Sequence, residues 1–485
     1  ESNTILKAGN LGNGAGKEDF VGSLIQLISP SYVVDQFSPP IAPANGNQTL
    51  SGFTIDGSGK TLKAGIWLQA RNNVSIHHVT IKDCALRGAV ACFGQKKSKE
   101  EPPYYITGLK MYDMTFLNSG ADLSDESTGN LCLAHTDGAD IYNITINDTH
   151  GYGIKFIFEG YYKNTKIHDC NITVNEQDPL WTEDIIIELW NLGPGNEVYR
   201  LTGNTWMSFV NWKDTFNNPV SAGSHLKIYD CKIIDNDGTS LKEAIEVACS
   251  GTEVANCYIQ NKGWGVAVWL QAQRKTTIRN NVFYNTQPQA VWADAGAVFI
   301  VADEVPKMED IKIYNNVFDN LKTGGGSPLK VVSVWKGIVE GLDVANNVST
   351  NMLPATFDLY LYPAATATNV KYRNNLRDMA HNTSGAAIVS SGNLVNVSPG
   401  FTLSGQRFDT YYKPASSSSF VVDKGVDVGI PYQGTTPDLG RWEFAGTGTP
   451  LPAPGTFSQT SPANNATGVS TLAAFSWGGS SNAAT

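Results

Sequence analysis

A short phrase of alternating apolar and polar residues recurs about every 24 to 35 residues along the chain. Alternation with a period of two predicts a β-strand with one buried face. A longer period built from such strands is typical of a stacked β repeat, so we predict a solenoid. The copies read TLSGFTI, SIHHVTI, KMYDMTF, DIYNITI, KIHDCNI, RLTGNTW, KIYDCKI, EVANCYI, TIRNNVF, KIYNNVF, DVANNVS and KYRNNLR.

One position of the phrase keeps its character over several consecutive copies. It passes from apolar residues through cysteine to asparagine, as equivalent positions stacked along one axis would. Stacked asparagine side chains would hydrogen-bond from one rung to the next. The column reads Phe53, Val79, Met114, Ile144, Cys170, Asn204, Cys231, Cys257, Asn281, Asn316, Asn347 and Asn375.

A second kind of strand precedes the phrase in each repeat. These strands are GIWLQA (65–70), GIKFIF (153–158), DIIIELW (184–190), EAIEVAC (243–249), GVAVWLQA (265–272) and GAVFIV (296–301). Successive residues of a strand point to opposite faces. The inward residues are predicted to be Ile154, Phe156, Phe158, Ile187, Leu189, Ile245, Val247, Val268 and Leu270.

Composition limits the classes of function. The net charge is −10, which makes a nucleic-acid surface an unfavourable interpretation. No run approaches the ~18 apolar residues of a membrane span. The seven cysteines show no metal-ligand spacing. Glu1 begins directly in repeat-like sequence, so we expect a trimmed N-terminus.

With these repeats, residues 1–400 resemble a right-handed, single-stranded parallel β-helix of about 12 rungs, the all-β fold of pectate lyases and polygalacturonases. The segment Pro437–Glu443 is similar to the closing phrase of many secreted bacterial β-helices, so a secreted or cell-surface bacterial protein is expected. We predict a catalytic domain at 1–444, a Gly/Pro linker at 445–456 and a truncated immunoglobulin- or fibronectin-like module at 457–485.

The outward positions of the second kind of strand carry the candidate chemistry. Neighbouring rungs lie ~4.8 Å apart, so Lys155 and Glu188 should be in contact and Glu188 and Glu246 should lie two rungs apart. The predicted column is Trp67, Cys132, Lys155, Glu188, an unassigned rung near Phe209, Glu246, Trp269 and Phe299.

Two carboxylates at this separation predict an inverting glycoside hydrolase, in which an acid protonates the leaving oxygen and a base activates water. Lys155 should lower the pKa of Glu188, the expected base, and Trp269 should raise that of Glu246, the expected acid. This reaction needs no cofactor or metal. The expected substrate-binding residues are Trp67, Trp190, Trp269, Gln69, Gln271, His135 and Asp184.

Two alternatives stay open at this point. The first is a polysaccharide lyase, with Lys155 as the base and Ca²⁺ held by Glu188, Asp184 or Glu246. The second is a non-catalytic solenoid that binds carbohydrate on its aromatic column. All three hypotheses name a polysaccharide as the partner, and none requires nucleic acid or a membrane.

Overall fold

The computed structural model describes residues 4–7, 22–28, 42–57, 62–92, 101–120, 128–148, 152–157, 160–174, 185–211, 225–235, 243–261, 263–268, 274–286, 296–302, 306–321, 329–444, 459–461 and 476–477. The chain divides into two compact units, Glu1–Glu443 and Phe444–Thr485. No helix in these ranges is long and apolar enough to cross a membrane.

The first unit is a parallel β-helix whose strands stack into three sheets. Sheet 1 contains the second kind of strand identified in the sequence, each paired in parallel with the next. Its strands are Ser23–Ile28, Ala64–Gln69, Arg87–Cys92, Gly129–Ala134, Ile154–Phe156, Ile185–Trp190, Trp206–Val210, Glu243–Ala248, Trp264–Val268, Val298–Ala302, the start of Lys330–Ala345, Phe357–Leu361 and His381–Asn382.

Sheets 2 and 3 are the two halves of the recurring phrase. Thr49–Asp56, Ser75–Lys82, Lys110–Leu117 and Asp140–Asp148 run through both sheets. Sheet 2 also holds Lys166–His168, Asn196–Tyr199, Leu226–Tyr229, Thr252–Ala255, Arg274–Arg279, Met308–Tyr314, the end of Lys330–Ala345, Ala365–Thr368, Val370–Arg373 and Ile388–Ser391. Sheet 3 also holds Thr4–Lys7, Asn171–Val174, Thr202–Gly203, Lys232–Ile234, Tyr258–Gln260, Val282–Tyr284, Val317–Asp319 and Val348–Thr350.

Short parallel ladders occupy the turns that follow some sheet 1 strands, and a separate pair lies in the second unit. The turn strands are Ala44–Asn45, Arg71–Asn72, Ile106–Thr107, Thr136–Asp137 and Tyr162–Lys163. In the second unit, Gln459–Ser461 and Ser476–Trp477 pair antiparallel. The predicted linker lies outside the described residues, and the immunoglobulin-like module stays a prediction.

In the described rungs, one residue in the left-handed region makes each bend between sheets 2 and 3, a glycine at Gly52 and Gly392 and another residue type in the rungs between them. Its φ lies between 50° and 59° at His78, Asp113, Asn143, Asp169, Arg200, Asp230, Asn256, Asn280, Asn315, Asn346 and Asn374. Asparagine and aspartate tolerate this conformation better than other non-glycine residues. The recurring Asn or Asp of the phrase is therefore a bend residue.

The residue after each bend points into the interior of the β-helix, and these residues form the predicted column. Asn281 donates to the side-chain oxygen of Asn316, which donates to that of Asn347, each at 3.0 Å. Asn347 continues to Asn375 at 3.0 Å and Asn375 to Asn393 at 3.3 Å. The asparagine ladder is thus confirmed, with one rung more than the sequence analysis counted.

One member of the predicted column was wrong. The amide of Thr202 donates to the carbonyl of Cys170, and that of Lys232 to the carbonyl of Leu201. Leu201, not Asn204, therefore follows Cys170 in the stack, and it is fully buried. Asn204 instead bonds the backbone of Val174 from outside the column. The sequence alignment of this repeat was therefore displaced by three residues, which put Asn204 in the position that Leu201 occupies.

The closing segment returns along the outside of sheet 3. Tyr412, Val421 and Leu439 bury themselves against Val317 and Val348 of that sheet. Bend asparagines of successive rungs donate side-chain hydrogen bonds to its carbonyls: Asn280 to Arg441, Asn315 to Asp438, Asn346 to Val426 and Asn374 to Lys424. The segment thereby covers apolar surface that a bare sheet would expose.

Candidate active site

Four polar side chains lie in register on the outer face of sheet 1. The Cα pairing runs from Lys155 to Glu188, from Glu188 to Ser208, and from Ser208 to Glu246. We call these four residues the polar column. The rung that the sequence analysis left unassigned belongs to Ser208, because its neighbour Phe209 is fully buried in the core.

Strand alternation fixes the direction of these side chains. The preceding residue in each of three strands, Ile154, Ile187 and Ile245, is fully buried in the central core, and Met207 fills the same position in the fourth. The next residue along each strand must therefore point outward. The predicted inward residues within the described ranges are confirmed; Phe158 and Leu270 lie outside those ranges.

Apolar clusters flank the polar column on the same outer face. In the preceding rungs, the cluster contains Ala64, Trp67, Val90, Cys92, Cys132, Ala134 and Ile157. In the following rungs, it contains Trp264, Ala267, Phe299 and Val301. Charged groups between two buried apolar clusters lose much of their hydration, and this raises the free energy of their ionised forms.

Lys155 and Glu188 form an ion pair that is almost removed from solvent. The Nζ atom of Lys155 lies 3.4 Å from Oε2 of Glu188, and the two side chains are 5% and 13% exposed. The same Nζ lies 3.4 Å from the ring centroid of Tyr152. The indole nitrogen of Trp190 donates to Oε1 of Glu188 at 3.1 Å, and its ring stacks on Phe156.

The pKa of Glu188 is raised, contrary to the sequence prediction. Burial is the largest cause, and the charge of Lys155 with the hydrogen bonds from Lys155 and Trp190 opposes it. The prediction counted the cation and omitted desolvation, because the burial of an outward position is not apparent from a strand pattern. Glu188 therefore has the character of an acid rather than of the expected base.

Glu246 is held by the serine of the rung between the two carboxylates. The hydroxyl of Ser208 donates to Oε2 of Glu246 at 2.5 Å, and Glu246 is half-buried. Two rungs separate the Glu188 and Glu246 backbones by ~10 Å. Ser208, which the sequence analysis missed, is smaller than either glutamate and leaves room between them. Continuing the strand alternation through WMSFV would have identified it.

Two residues assigned to substrate binding are buried instead. Trp67 and Gln69 are each 1% exposed, and the indole nitrogen of Trp67 donates to the side-chain oxygen of Gln69 at 2.9 Å. Neither side chain offers an exposed surface to a sugar in this arrangement, so the structure does not support their assignment to substrate binding. Trp67 instead packs in the apolar outer cluster of the early rungs.

His135 is also buried, at 2% exposure. It follows strand Gly129–Ala134 in the left-handed conformation, and its ring lies 5.7 Å from that of Tyr161. Burial lowers its pKa to about 3, so the ring is neutral over the physiological range. Its predicted contact with substrate is not supported by this position.

The later aromatic position of the predicted column was misassigned. Glu246 pairs with Ala267, which pairs with Phe299, so Trp269 is two residues past the register position assigned to it. Trp269, Gln271 and Asp184 lie outside the described residues. Of the two predicted binding aromatics that the structure describes, Trp67 and Trp190, it is Trp190 that contacts the polar column.

The polar column does not fit a calcium ion in this arrangement. Ca²⁺ takes about six to eight oxygen ligands. Glu188 directs its two oxygens to Lys155 and Trp190, and the ammonium group already supplies a positive charge there. Within the described ranges, no group of three or more His, Cys, Asp or Glu side chains is arranged to hold a metal.

The match to a family model agrees with the strand pairing of the first unit. Residues 108–318 match the family described as "Right handed beta helix region". A solved structure titled "Crystal structure of pectate lyase Pel9A" aligns with 13% identity and a TM-score of 0.39, covering 87% of this chain and 96% of that one. No curated protein matches the chain significantly. The predicted right-handed parallel β-helix is confirmed.

Proposed function

We propose that this protein is a polysaccharide-degrading enzyme that acts at the polar column. The observation that carries the proposal is the pair Glu188 and Glu246, two rungs apart with Ser208 between them, on an outer face that is otherwise apolar in the neighbouring rungs. Removing a lysine and a glutamate from water there costs free energy, which a purely structural strand would avoid with apolar residues. We propose that the protein is secreted, since polymeric glycans occur outside the cell.

The reaction that fits this pair best is inverting hydrolysis of a glycosidic bond. Inverting enzymes separate their two carboxyl groups by about 6.5–9.5 Å, so that a water molecule fits beside the sugar. Backbones ~10 Å apart allow side chains to reach that separation. The acid and base roles follow from the pKa direction of Glu188 and are the reverse of those predicted from sequence.

In the proposed step, protonated Glu188 gives its proton to the glycosidic oxygen as the bond to the anomeric carbon breaks. Glu246 takes a proton from water, whose oxygen attacks that carbon from the opposite face. Glu188 ends ionised and Glu246 ends protonated, so the protons balance. Lys155 stabilises the carboxylate formed on Glu188, and Trp190 fixes its orientation.

The test measures new reducing ends on a panel of neutral and uronic-acid polysaccharides. We expect Glu188→Gln and Glu246→Gln each to lower kcat by at least about a hundredfold, because each removes one proton-transfer group, and to leave binding of the polymer nearly unchanged. Glu309→Gln is the matched control, since Glu309 is also an outward carboxylate in a cross-rung ion pair, with Arg274 on sheet 2. Full activity in both variants would contradict the proposal, and binding without turnover in the parent protein would indicate a carbohydrate-binding solenoid.

Elimination from a uronate is the second candidate, and the position of Lys155 favours it. Lys155 is 4% exposed and its Nζ atom packs on the ring of Tyr152, on the same face as the two glutamates, where a lysine amine would serve as the base for the C5 proton. The same panel separates the two reactions, because elimination produces an unsaturated uronate with ultraviolet absorbance. Absorbance together with new reducing ends, both lost in Lys155→Met, would identify a lyase.

A further inference from the structure

The outer face of sheet 2 carries a continuous stack of aromatic rings. Adjacent ring centroids are 4.5–5.1 Å apart, and adjacent planes differ by 5–12°. This spacing is that of the strands themselves, so each rung presents one ring to its neighbours. We call the stack the aromatic ladder; its rings belong to His77, Tyr112, Tyr142, His168, Tyr199 and Tyr229.

The ladder ends where a rung has no ring. Tyr229 pairs with Ala255, and Ala255 pairs with Arg279. The methyl group of Ala255 leaves the ring position of that rung open, and a cavity of about 220 Å³ lies there. We call this cavity the notch; its lining includes Glu197, Lys227, Tyr229, Glu253, Ala255 and Arg279.

A second alanine in the same column shows how such a gap can be closed. Ala345 lies between Tyr314 and Arg373, and the carboxylate of Asp343 accepts from both the Tyr314 hydroxyl and the Arg373 guanidinium. At the notch, the corresponding bonds diverge. The Tyr229 hydroxyl donates to Glu197 at 2.8 Å, and Arg279 donates to Glu253 at 2.5 Å. No single carboxylate among these residues joins the two walls.

The polar groups of the notch are arranged around its edge. Glu197, Lys227 and Glu253 follow one another in register, two residues before the aromatic column. With Arg279 they supply two negative and two positive charges, so the lining is balanced overall. One wall is the Tyr229 ring, and the floor is the Ala255 methyl group. A ligand that fits has an apolar face and a hydroxyl-rich edge without net charge.

We propose that the notch binds one pyranose ring of a neutral polysaccharide chain. Two rungs separate Tyr229 from Arg279 by ~10 Å, which is the room for one ring at the spacing of the ladder. The C–H face of the sugar lies on Tyr229, and its hydroxyl groups reach Glu197, Glu253 and Lys227. The site is on a different sheet from the polar column and anchors the polymer while another part is cleaved. The choice of a sugar rests on the proposed function.

Two alanine methyl groups report the two sites separately. In protein labelled at alanine methyl groups, Ala255 reports on the notch, and Ala267, which pairs with Glu246, reports on the polar column. Neutral hexasaccharides from glucan, mannan, xylan and galactan and a hexagalacturonate are added up to 10 mM. We expect at least one neutral sugar to shift Ala255 and the galacturonate not to do so. If no neutral sugar shifts Ala255, the inference is overturned, whatever happens at Ala267.

Variants test the same site without relying on catalysis. Ala255→Tyr adds the missing ring, so the protein should fold and lose the neutral-sugar site by calorimetry, while turnover of a short soluble substrate is unchanged. Tyr229→Ala should weaken binding at least tenfold, and Tyr112→Ala, an interior rung of the ladder, is the matched control. Unchanged affinity in Ala255→Tyr would refute the notch but leave the hydrolase proposal intact. In the converse test, Glu188→Gln should lose turnover while neutral sugars still shift Ala255, so that the catalytic site and the notch are affected independently.

Discussion

Two opposing effects act on the pKa of Glu188. Its side chain is 13% exposed, and burial raises its pKa, while the adjacent ammonium group of Lys155 opposes the rise. The balance favours burial, so the group holds its proton to higher pH than an exposed glutamate does. A raised pKa of this kind is the direction that suits a general acid.

This balance predicts how the activity depends on pH. Rate should fall as pH rises through the pKa of Glu188, because the acid must be protonated to act. Lys155→Met removes a group that lowers this pKa, so the alkaline limb of the kcat/KM profile should move to higher pH. Lys163→Met, which breaks the exposed pair of Lys163 with Glu101, is the control and should not move it. An alkaline limb unchanged in Lys155→Met would remove Glu188 from the acid role.

At the scale of the element, each rung repeats the same bend between sheets 2 and 3. The bend between sheets 2 and 3 needs a left-handed residue, and the polar backbone around it needs partners. Asparagine supplies the bend at Asn280, Asn315 and Asn346, and the next asparagine supplies the internal ladder. The early rungs replace the asparagine ladder with apolar residues or with cysteines, and the thiols of Cys231 and Cys257 donate weakly to the Val198 and Ile228 carbonyls of the preceding rungs.

The asparagine ladder should contribute measurably to the stability of the fold. Asn316→Ala removes the acceptor of two Asn281 donors and the donor to the Ile278 carbonyl in a fully buried position. Because each unpaired buried group costs about 1–3 kcal/mol, we expect a loss of about 2–4 kcal/mol in the free energy of unfolding. Denaturant unfolding measures it. Asn171→Ala, on an exposed strand position of sheet 3, should cost much less, and equal losses would argue against a structural role of the ladder.

At the scale of the molecule, the closing segment couples distant parts of the chain. Tyr412 donates to Asp319 at 2.6 Å across 93 residues of sequence, and Leu439 packs with the same outer cluster. Glu443 accepts backbone hydrogen bonds from Gln433 and Asp438 near its end. Burial, with the charge of Asp438, raises the pKa of Glu443 to about 7.

This shift makes the stability of the closing segment depend on pH. The folded pKa is above the ordinary 4.5, so the folded state binds the proton more tightly. The stabilisation is therefore complete below pH 4.5 and is lost as pH rises through about 7. With one pKa unit worth about 1.4 kcal/mol and solvent screening, we expect about 1–2 kcal/mol. Thermal unfolding between pH 5 and 8 should show the slope in the parent protein and a smaller one in Glu443→Gln.

A matched variant checks the sign of that effect. Lys307 lowers the pKa of Glu309, so its contribution is present above the ordinary pKa and is lost as pH falls. Glu309→Gln should leave the slope between pH 5 and 8 in place. If Glu443→Gln kept the full slope, Glu443 would not be its source.

The sequence by itself determined the rungs of this protein. Strand alternation predicted the inward faces of Ile187 and Ile245 and the contact of Lys155 with Glu188, because a side-chain period of two and a fixed strand spacing are local properties. The repeat predicted the asparagine ladder for the same reason. It failed at Asn204, where three residues of local variation shifted the alignment.

Only the tertiary structure decided which outward residues are exposed and what their charges experience. Trp67 and His135 are buried although their positions in the repeat resemble exposed ones, and Glu188 has a raised pKa although a cation lies beside it. The notch at Ala255 likewise depends on where Tyr229 and Arg279 direct their side chains. Exposure and desolvation are set by groups far apart in sequence, so a pattern of neighbouring residues does not contain them.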